Sequence, residues 1–322
     1  TYSTTNNQHM TNENNLNVLI AGGAGFIGSH LTDSLLEDGH AVTVIDNFCS
    51  GQRSNLDEAK EHDEFKLIEQ DILDDFSPDE SYDHVLHLAS RASPPDYQDH
   101  PIHTMRTNSE GTLKLVKYAD EHDASFLYAS TSEVYGDPDE HPQTEEYNGN
   151  VNPVGPRACY DEAKRYGEAL ITSYARENDL DWNIIRIFNT YGPRLRRDDG
   201  RVISNFITQA LNDEPITVYG DGSQTRSFCY VDDLIRGIRK VMDYDDNDVF
   251  NLGNPDETTI LELAKTVQDV IDTESEIIFE DLPEDDPSQR KPDMEKTRTI
   301  LDFQAKTSLK TGLRKTIEGG IS

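Results

Sequence analysis

The sequence predicts an α/β protein in which a doubly wound parallel sheet is followed by a smaller C-terminal lobe. Three observations support this prediction. Short apolar runs alternate with amphipathic helical stretches through residues 16–188, which favours right-handed crossovers and parallel strands. A glycine-rich turn joins the first apolar run to the first helix. After Asn189 the helices are separated by longer loops that carry Gly, Pro and Asp, which is typical of a smaller lobe.

The elements follow in chain order. Strands are predicted over 17–21, 41–46, 65–70, 83–89, 124–130 and 182–188, and their short apolar composition fits a sheet covered on both faces. Helices are predicted over 26–37, 104–122 and 160–178. In the C-terminal part we expect helices over 201–212, 231–243 and 259–272, with strands over 216–220, 249–253 and 275–279. Residues 1–15 form a polar extension that we expect to be mobile.

The charge of the chain excludes several classes of partner. It has 62 acidic and 29 basic residues, a net charge of −33. Such a surface repels nucleic acid and anionic membranes, so we expect neither as a partner. The acidic residues are spread along the chain, and at molar salt the Debye length falls to about 3 Å. We therefore interpret the composition as a halophilic adaptation to a salty cytoplasm.

Compartment and metal content are also predicted. No run of about 18 apolar residues occurs, and the segment TYSTTNNQHMTNENN has no apolar core, so we expect neither a membrane span nor a secretory signal. Cys49, Cys159 and Cys229 form no disulfide framework and fit a reducing cytosol. His84 and His87 lie three apart on one predicted strand and point to opposite faces, so no metal is expected.

The glycine-rich turn predicts a Rossmann-type dinucleotide site. Gly22, Gly25 and Gly28 suit, in that order, a tight turn, the approach of a pyrophosphate and close packing of helix on strand. The N-terminus of the helix supplies amide donors. Asp46 ends the next strand, where it would accept hydrogen bonds from an adenosine ribose and repel a 2′-phosphate, so NAD is favoured over NADP. The dipeptide Asp71-Ile72 is placed to cap the adenine.

A tyrosine and a lysine lie four residues apart on one face of a predicted helix. A free tyrosine has a pKa of about 10, too high for a base at neutral pH. The ammonium group of Lys164 and the positive nicotinamide ring would stabilise the phenolate of Tyr160, and Lys164 can also hold a ribose hydroxyl. Thr131 and Ser132 end the fifth strand, where sheets of this class present catalytic groups.

Several stretches carry a family resemblance. GGAGFIG, TSEVYG, YDEAK and RIFNTYGPR resemble the extended short-chain dehydrogenase/reductases, which act on nucleotide sugars. LASRASPPDY, STSEVYGDP, DGRVISNFI, TVYGDGSQTRSF, VNPVGPRACYDEAKR and DDPSQRKPD resemble, more specifically, the UDP-glucuronate decarboxylases (UDP-xylose synthases) of that family. The resemblance covers about residues 16–315, and it departs at Arg91, where the loop usually has Pro.

The resemblance implies a redox-neutral cycle with NAD. Tyr160 would take the proton of the sugar 4-hydroxyl as a hydride passes to the cofactor. The resulting β-keto acid would lose carbon dioxide, and protonation at carbon 5 with hydride return would give UDP-xylose. Thr131 and Ser132 would hydrogen-bond the reacting oxygen. Glu133 would act as acid or base near carbon 5 or strain the carboxylate, and Arg290 would bind the carboxylate or the diphosphate.

Pattern and resemblance together give the candidate binding residues. The cofactor would be held by Gly22, Gly25, Phe26, Ile27, Asp46, Asn47, Asp71, Ile72, Leu88, Ser90, Thr107, Tyr160 and Lys164. The UDP-sugar would be held by Arg106, Asn189, Arg201, Gln224, Arg226 and Arg290. Residues 16–188 would then be the NAD-binding Rossmann domain, and 189–322 mostly the sugar-nucleotide-binding lobe.

Related chemistries on the same fold stay open. A sugar nucleotide 4,6-dehydratase usually reads STDEVYG, and Ser132, in place of that Asp, is a poor proton donor to a leaving hydroxyl. A 4-epimerase usually lacks a glutamate at position 133. A decarboxylase that releases the 4-keto pentose shares STSEVYG and the arginine. An NAD-sensing regulator without catalysis is disfavoured because Tyr160 and Lys164 are both present.

The resemblance also implies a homodimer. The helices predicted over 104–122 and 160–178 would pair with their copies into a four-helix interface. The apolar stripe expected there comprises Leu113, Val116, Tyr118, Ala119, Ala169, Leu170 and Tyr174.

Overall fold

A computed structural model describes residues 15–75, 78, 80–281 and 289–321 of the chain. The extension predicted over 1–15 therefore lies almost wholly outside the described residues. The first four residues of DDPSQRKPD, residues 285–288, lie outside them as well.

The strands are short, as their sequences indicated. In chain order they are β1 (Asn17–Ala21), β2 (Ala41–Asp46), β3 (Phe65–Glu69), β4 (His84–His87), β5 (Ser125–Thr131), β6 (Trp182–Ile187), β7 (Thr190–Tyr191), β8 (Ile216–Tyr219), β9 (Thr225–Ser227), β10 (Cys229–Tyr230), β11 (Asp248–Leu252), β12 (Glu257–Thr259), β13 (Ile277–Glu280) and β14 (Gln289–Arg290). Within the described residues, seven of them form a parallel sheet in the order β11-β6-β5-β4-β1-β2-β3. The predicted doubly wound fold is confirmed.

Helices cover both faces of this sheet. They are α1 (Phe26–Glu37), α2 (Pro94–Asp99), α3 (Pro101–Arg106), α4 (Thr112–Glu121), α5 (Ala158–Glu177), α6 (Val202–Leu211), α7 (Val231–Met242), α8 (Ile260–Ile271), α9 (Glu295–Leu301) and α10 (Leu309–Gly319). Val18 and Ile20 of β1 pack into the core under α1 and α7, whereas Leu19 and Ala21 pack into the core under α4 and α5. Alternate residues of β1 are thus buried on opposite faces of the sheet, which explains why its sequence, NVLIA, is apolar at successive positions after Asn17. No helix in the described part of the chain is both long and apolar enough to cross a bilayer.

Most of the chain after β6 builds a smaller layer beside the sheet. It contains the three-stranded sheet β12-β9-β14 and the pair β13-β8, with α6, α8 and α10 packed on one another. Strand β11 departs from this pattern, because it pairs in parallel with β6 and becomes the edge of the large sheet. Phe250 on β11 is fully buried there. The division at residue 189 stays a prediction about domains, but the large sheet does take a strand from beyond it.

The helix predicted over 104–122 is interrupted in the structure. The helical segment begins at Pro101, where a proline suits a first turn, and it widens into a π-helical turn at Thr107–Gly111. Side chains along it donate hydrogen bonds to carbonyl oxygens four residues back, as Asn108 does to Thr104 at 2.9 Å and Ser109 to Met105 at 2.7 Å. Such side-chain bonds compete with the regular backbone ladder, which hydrophobic periodicity alone does not reveal.

The sheet order sets the position of the site. From β1 the chain continues outward to β2 and β3 on one side, while β4, β5 and β6 extend on the other. The carboxyl ends of β1 and β4 therefore form the switch point at which open α/β sheets bind ligands.

Candidate active site

A cleft of about 820 Å³ opens at this edge of the sheet and extends to the C-terminal lobe. Its volume suits a cofactor together with a substrate. A smaller cavity of about 60 Å³ continues it beyond the glycine turn. Gly22, Gly25, Leu88 and Ser90 line both spaces, so the two form one continuous groove.

The structure gathers nearly all of the predicted site residues along this groove. The larger cleft is lined by Gly22, Gly25, Phe26, Ile27, Leu88, Ser90, Thr131, Ser132, Glu133, Tyr160, Lys164, Asn189, Arg201, Gln224, Arg226 and Arg290. The smaller cavity adds Asp46, Asn47, Asp71, Ile72 and Thr107. The residues expected to hold the cofactor therefore lie along one continuous groove.

Arg106 is the exception among the predicted substrate contacts. The Nε and Nη2 atoms of its guanidinium group donate hydrogen bonds to the carboxylate of Glu110, one helical turn away, at 2.9 and 2.8 Å. Both side chains are about half exposed. Within the described residues it lines neither the cleft nor the smaller cavity. Thr107, the next residue, does line the smaller cavity. Neighbouring residues on a helix point about 100° apart, so only one of the two can face the groove.

The glycine turn leaves no space for side chains. Gly22 has a φ of +87°, and a Cβ there would lie 2.6 Å from the amide nitrogen of Ala89. A Cβ on Gly28 would lie 2.2 Å from the carbonyl oxygen of Gly22. The carboxylate of Asp46 accepts hydrogen bonds from the amides of Ala24 at 2.9 Å and Phe48 at 2.8 Å. The turn is thus held against the ends of β1 and β2, as a pyrophosphate cradle requires.

A polar network lies at the adenine end. Asn47 donates to Asp71 at 2.7 Å, and the ring of His103 lies 2.9 Å from the same carboxylate oxygen. Burial opposes the ionisation of Asp71, but hydrogen bonds from the Leu73 amide, His103 and Asn47 outweigh it and lower its pKa. His103 was not among the predicted residues, because its partner Asp71 is 32 positions away and no local motif links them.

Tyr160 and Lys164 lie side by side on α5, both nearly fully buried. The Lys164 ammonium donates to the carbonyl of Ala129 at 2.7 Å and lies 5.9 Å from the centre of the Tyr160 ring. Burial lowers the pKa of Lys164 to about 7. Burial raises the pKa of Tyr160, and a hydrogen bond with Thr131 opposes that shift. Burial thus favours the neutral phenol of Tyr160, and the stabilisation of its phenolate by Lys164 stays a prediction.

Tyr97 lies flat against Tyr160. The two rings are stacked with centres 5.1 Å apart and planes within 5° of parallel. Tyr97 is the last residue of the stretch LASRASPPDY, but it was not among the predicted site residues. It fixes the orientation of Tyr160 from the side opposite the helix backbone, because α2 packs on α5.

Glu133 lies between two arginines. One carboxylate oxygen is paired with Arg157 and the other with Arg290. Arg290 also donates to the carbonyl of Gly136 at 3.0 Å. Burial opposes ionisation of Glu133, but the charges of Arg290 and Arg157 outweigh it and lower its pKa. Arg157 was missed by the sequence analysis, although it lies within VNPVGPRACYDEAKR, three residues before Tyr160.

Asp161 is the fourth charged or titratable residue of this cluster, beside Arg157. Its carboxylate lies 3.9 Å from the Arg157 guanidinium and is almost fully buried. Burial and then the charge of Glu133 raise the pKa of Asp161 to about 7. A carboxyl group that titrates near neutrality beside the candidate base is a feature typical of functional sites.

The lobe contributes further polar groups to the cleft. Arg201 is paired with Asp199, and Gln224 donates to the carbonyl of Tyr219 at 2.7 Å. Arg226 on β9 lies in register with Arg290 on β14. Both residues also line the cleft, where the sequence places the UDP-sugar.

Arg91, the departure from the resembled loop, lies in the smaller cavity. It donates to the carbonyl of Cys49 at 3.1 Å and so joins the loop after β4 to the loop after β2. A proline in its place would lack this contact.

Comparisons with known proteins agree with this geometry. The NAD dependent epimerase/dehydratase family matches residues 18–253. UDP-glucuronic acid decarboxylase 1 of Danio rerio is 48% identical over 301 residues, 94% of this chain and 72% of that protein. UDP-glucuronic acid decarboxylase 5 of Arabidopsis thaliana is 48% identical over 302 residues, 94% of this chain and 88% of that protein.

Solved structures with the same fold are more distant in sequence. UDP-glucose 4-epimerase from Thermotoga maritima, with UDP-glucose, is 32% identical with a TM-score of 0.86, and the match covers 94% of this chain and 98% of that one. UDP-glucuronic acid 4-epimerase from Bacillus cereus, in complex with UDP-glucuronic acid and NAD, is 29% identical with a TM-score of 0.84 and the same coverage.

Proposed function

The chain belongs to the NAD dependent epimerase/dehydratase family, and from that premise we propose that it decarboxylates UDP-glucuronate to UDP-xylose without net redox change. The observation that carries the proposal is Glu133, held by Arg157 and Arg290 in the cleft that also contains Tyr160 and Lys164. Relatives 47–49% identical are named UDP-glucuronic acid decarboxylases. The 4-epimerase structures are 28–32% identical, which disfavours the epimerase alternative.

NAD is the cofactor. The glycine turn, the Asp46 carboxylate and the network around Asp71 fit its pyrophosphate, ribose and adenine. When bound there, NAD would supply the oxidant for carbon 4 of the sugar and recover its oxidised form within the same cycle, so the reaction would need no other oxidant.

Four residues of the chain have roles in the first proton transfer, from the 4-hydroxyl of the sugar. Tyr160 takes the proton from the 4-hydroxyl, and Thr131, already hydrogen-bonded to it, passes or orients that proton. Lys164 holds the ribose of the cofactor and, when charged, favours the phenolate. Ser132 hydrogen-bonds the reacting oxygen.

Glu133 acts in the later steps. Oxidation at carbon 4 makes the carboxylate of the sugar a β-keto acid, which loses carbon dioxide and leaves an enolate. Carbon 5 then needs a proton, and since Glu133 is ionised between two guanidinium groups, it would take that proton from a water molecule and pass it to carbon 5. Arg290 faces the negative charge of the sugar.

The test is incubation with UDP-glucuronate and catalytic NAD, followed by product mass and absorbance of NADH. We expect UDP-xylose, carbon dioxide and no net NADH. Release of a 4-keto pentose with stoichiometric NADH would identify the alternative decarboxylase, and UDP-galacturonate would identify an epimerase. The control is Tyr160→Phe, which should form no product because nothing takes the first proton.

We further propose a homodimer formed through α3 and α5, with a corrected surface. Of the expected stripe, Val116, Tyr118 and Ala119 are buried against the sheet of their own chain, because that face of α4 covers the strands. The other members of the stripe, Leu113, Ala169, Leu170 and Tyr174, are not buried. Further exposed apolar side chains occur at Ile102 (67% exposed) on α3 and Tyr166 (51%) on α5, and these two helices pack together.

Light scattering should give twice the chain mass of 36.4 kDa. The double substitution Ile102→Glu, Tyr166→Glu should reduce it to one chain mass, because it places charges in the apolar contact. A wild-type mass near one chain at assay concentrations would contradict the dimer.

The proposed setting is a reducing, salt-rich cytoplasm, and the enzyme should not need a metal. In the described residues Cys49, Cys159 and Cys229 are all unpaired. Dialysis against EDTA should leave turnover unchanged.

A further inference from the structure

The wall of the cleft around Glu133 carries an excess of positive charge. Arg157 and Arg290 bring two positive charges, and Glu133 brings one negative charge. These three side chains line the cleft and together carry a net charge of +1, in a protein whose total charge is −33, whereas Asp161 is buried and does not line it.

Unpaired polar atoms surround the same group. Within the described residues, the hydroxyl of Tyr97 and the Nε of Arg290 are buried without a hydrogen-bond acceptor. Both side chains line the cleft, and Tyr97 is only 1% exposed. Tyr97 stacks on Tyr160, and both line the same cleft as Arg157 and Glu133. Buried donors without acceptors are costly unless a ligand satisfies them, and the ligand that fits donors and positive charge is an anion.

We propose that Arg157 is a specificity-determining residue, which makes this wall select sugars that carry a carboxylate over neutral sugars. The inference rests on the proposed function and names the residue that sets its substrate class. Without Arg157, Glu133 and Arg290 would neutralise each other, and an arriving carboxylate would meet Glu133 with no excess positive charge. With Arg157, two guanidinium groups are shared by two carboxylates, that of Glu133 and that of the sugar.

Arg157 is placed to serve the ligand and not only the fold. It precedes α5, and its side chain is a quarter exposed, on the cleft. Arg186, by contrast, pairs with Glu168 with both side chains 13% exposed and lies outside the cleft lining. An arginine that served only to hold α5 in place would not need to line the cleft, as Arg186 shows. The position of Arg157 on the cleft therefore indicates a role in binding the ligand.

The test measures binding in enzyme that carries Tyr160→Phe, so that the substrate does not turn over. Calorimetry with NAD-loaded enzyme gives dissociation constants for UDP-glucuronate and for UDP-glucose, which differ in the carboxylate. Arg157→Gln should raise the dissociation constant of UDP-glucuronate by about tenfold or more, as expected for loss of a partly desolvated charge. The dissociation constant of UDP-glucose should rise by less than about twofold. Arg157→Lys keeps the charge and should recover part of the affinity for UDP-glucuronate only. The matched control is Arg176→Gln, which removes one charge from the exposed last turn of α5 and should change neither constant.

Two results would overturn the inference. One is an unchanged affinity for UDP-glucuronate in Arg157→Gln. The other is an equal loss for both ligands that Arg157→Lys does not restore, since that is the signature of a structural role. Failure of the proposed function is a separate result. If the wild-type enzyme releases no carbon dioxide, but its preference for UDP-glucuronate over UDP-glucose disappears with Arg157→Gln, the specificity inference stands and the reaction is reassigned.

Discussion

Glu133 binds a guanidinium group through each of its carboxylate oxygens, and this predicts a separable role in catalysis. Glu133→Gln keeps the shape and removes the charge, while Tyr160 and Lys164 stay intact. Oxidation at carbon 4 should therefore survive, and the steps at carbons 5 and 6 should slow by about a hundredfold or more. In stopped-flow measurements with UDP-glucuronate, bound NADH should accumulate and UDP-xylose should appear late.

The matched control is Glu162→Gln. Glu162 lies on the same helix as Tyr160 and pairs with Arg165, outside the residues that line the cleft. It should show wild-type kinetics. A Glu133→Gln enzyme with no NADH signal at all would mean that Glu133 acts in the first step or in binding, and not at carbons 5 and 6.

The raised pKa of Asp161 leads to a prediction of how the affinity for substrate depends on pH. Because its pKa is raised to about 7, it is neutral below that pH and adds a negative charge above it. In the Tyr160→Phe enzyme, affinity for UDP-glucuronate should fall as pH rises from about 6 to about 8, by several-fold, whereas affinity for UDP-glucose should stay constant. The charged and titratable groups that act on Asp161 or feel its charge are Glu133, Arg157, Arg290, Glu162, Tyr97, Tyr160 and Cys159.

Asp161→Asn tests this assignment, since it fixes the neutral form. The variant should bind UDP-glucuronate with the same affinity at both pH values, close to that of the parent enzyme at low pH. If the pH dependence persists in Asp161→Asn, another group of the cluster is responsible.

Residues within a motif were predictable, and residues that act through distant partners were not. Gly22, Tyr160 and Lys164 have fixed spacing from neighbouring elements, so the sequence located them in the groove. Arg157 could not be assigned because its partner Glu133 is 24 positions away and its meaning depends on that contact. Arg106, which was expected to contact the substrate, is paired with Glu110 and lies outside the two cavity linings, because a sequence does not tell which side of a helical turn faces the cleft.

At the scale of elements, the junction of β1 and α1 predicts a sensitive position. A Cβ at Gly28 would lie 2.2 Å from the carbonyl oxygen of Gly22, so Gly28→Ala must push the helix away from the turn. Overpacking of this kind costs about 1–3 kcal/mol, and the displaced amides should weaken NAD binding by about tenfold or more. Fluorescence titration with NADH measures the loss. Glu37→Ala, at the exposed end of the same helix, should bind NADH as the wild type does.

The bounds of the central strands were predicted to within about two residues, because each strand contains a short apolar segment next to polar residues. The interrupted helix was not, because the π-helical turn at Thr107–Gly111 depends on side-chain hydrogen bonds to the backbone. The strand at 249–253 was recognised, but its place at the edge of the large sheet was not predicted. Its partner, β6, is more than 60 positions away, and pairing between remote strands leaves no local signal.

At the scale of the whole molecule, the charge of −33 predicts that stability depends on salt. Self-repulsion of the acidic surface is screened as the Debye length shortens, so the melting temperature should rise from about 0.1 M to about 3 M KCl. Differential scanning fluorimetry measures it. Asp245→Asn with Asp246→Asn, two exposed neighbours in one loop, should raise the melting temperature at low salt and reduce the dependence. A melting temperature that is flat across this range would contradict the halophilic interpretation.

The pairing of β11 with β6 has a consequence for how the chain must be made. A ribosome releases the glycine turn, Tyr160 and the whole of β6 well before it reaches residue 248. During that interval β6 presents an unprotected strand edge, which invites pairing with other nascent chains. A gene fragment that stops at residue 188 should leave the same edge open permanently. We therefore expect that residues 16–188 do not fold as an independent module, since the C-terminal part of the chain supplies the strand that completes the sheet.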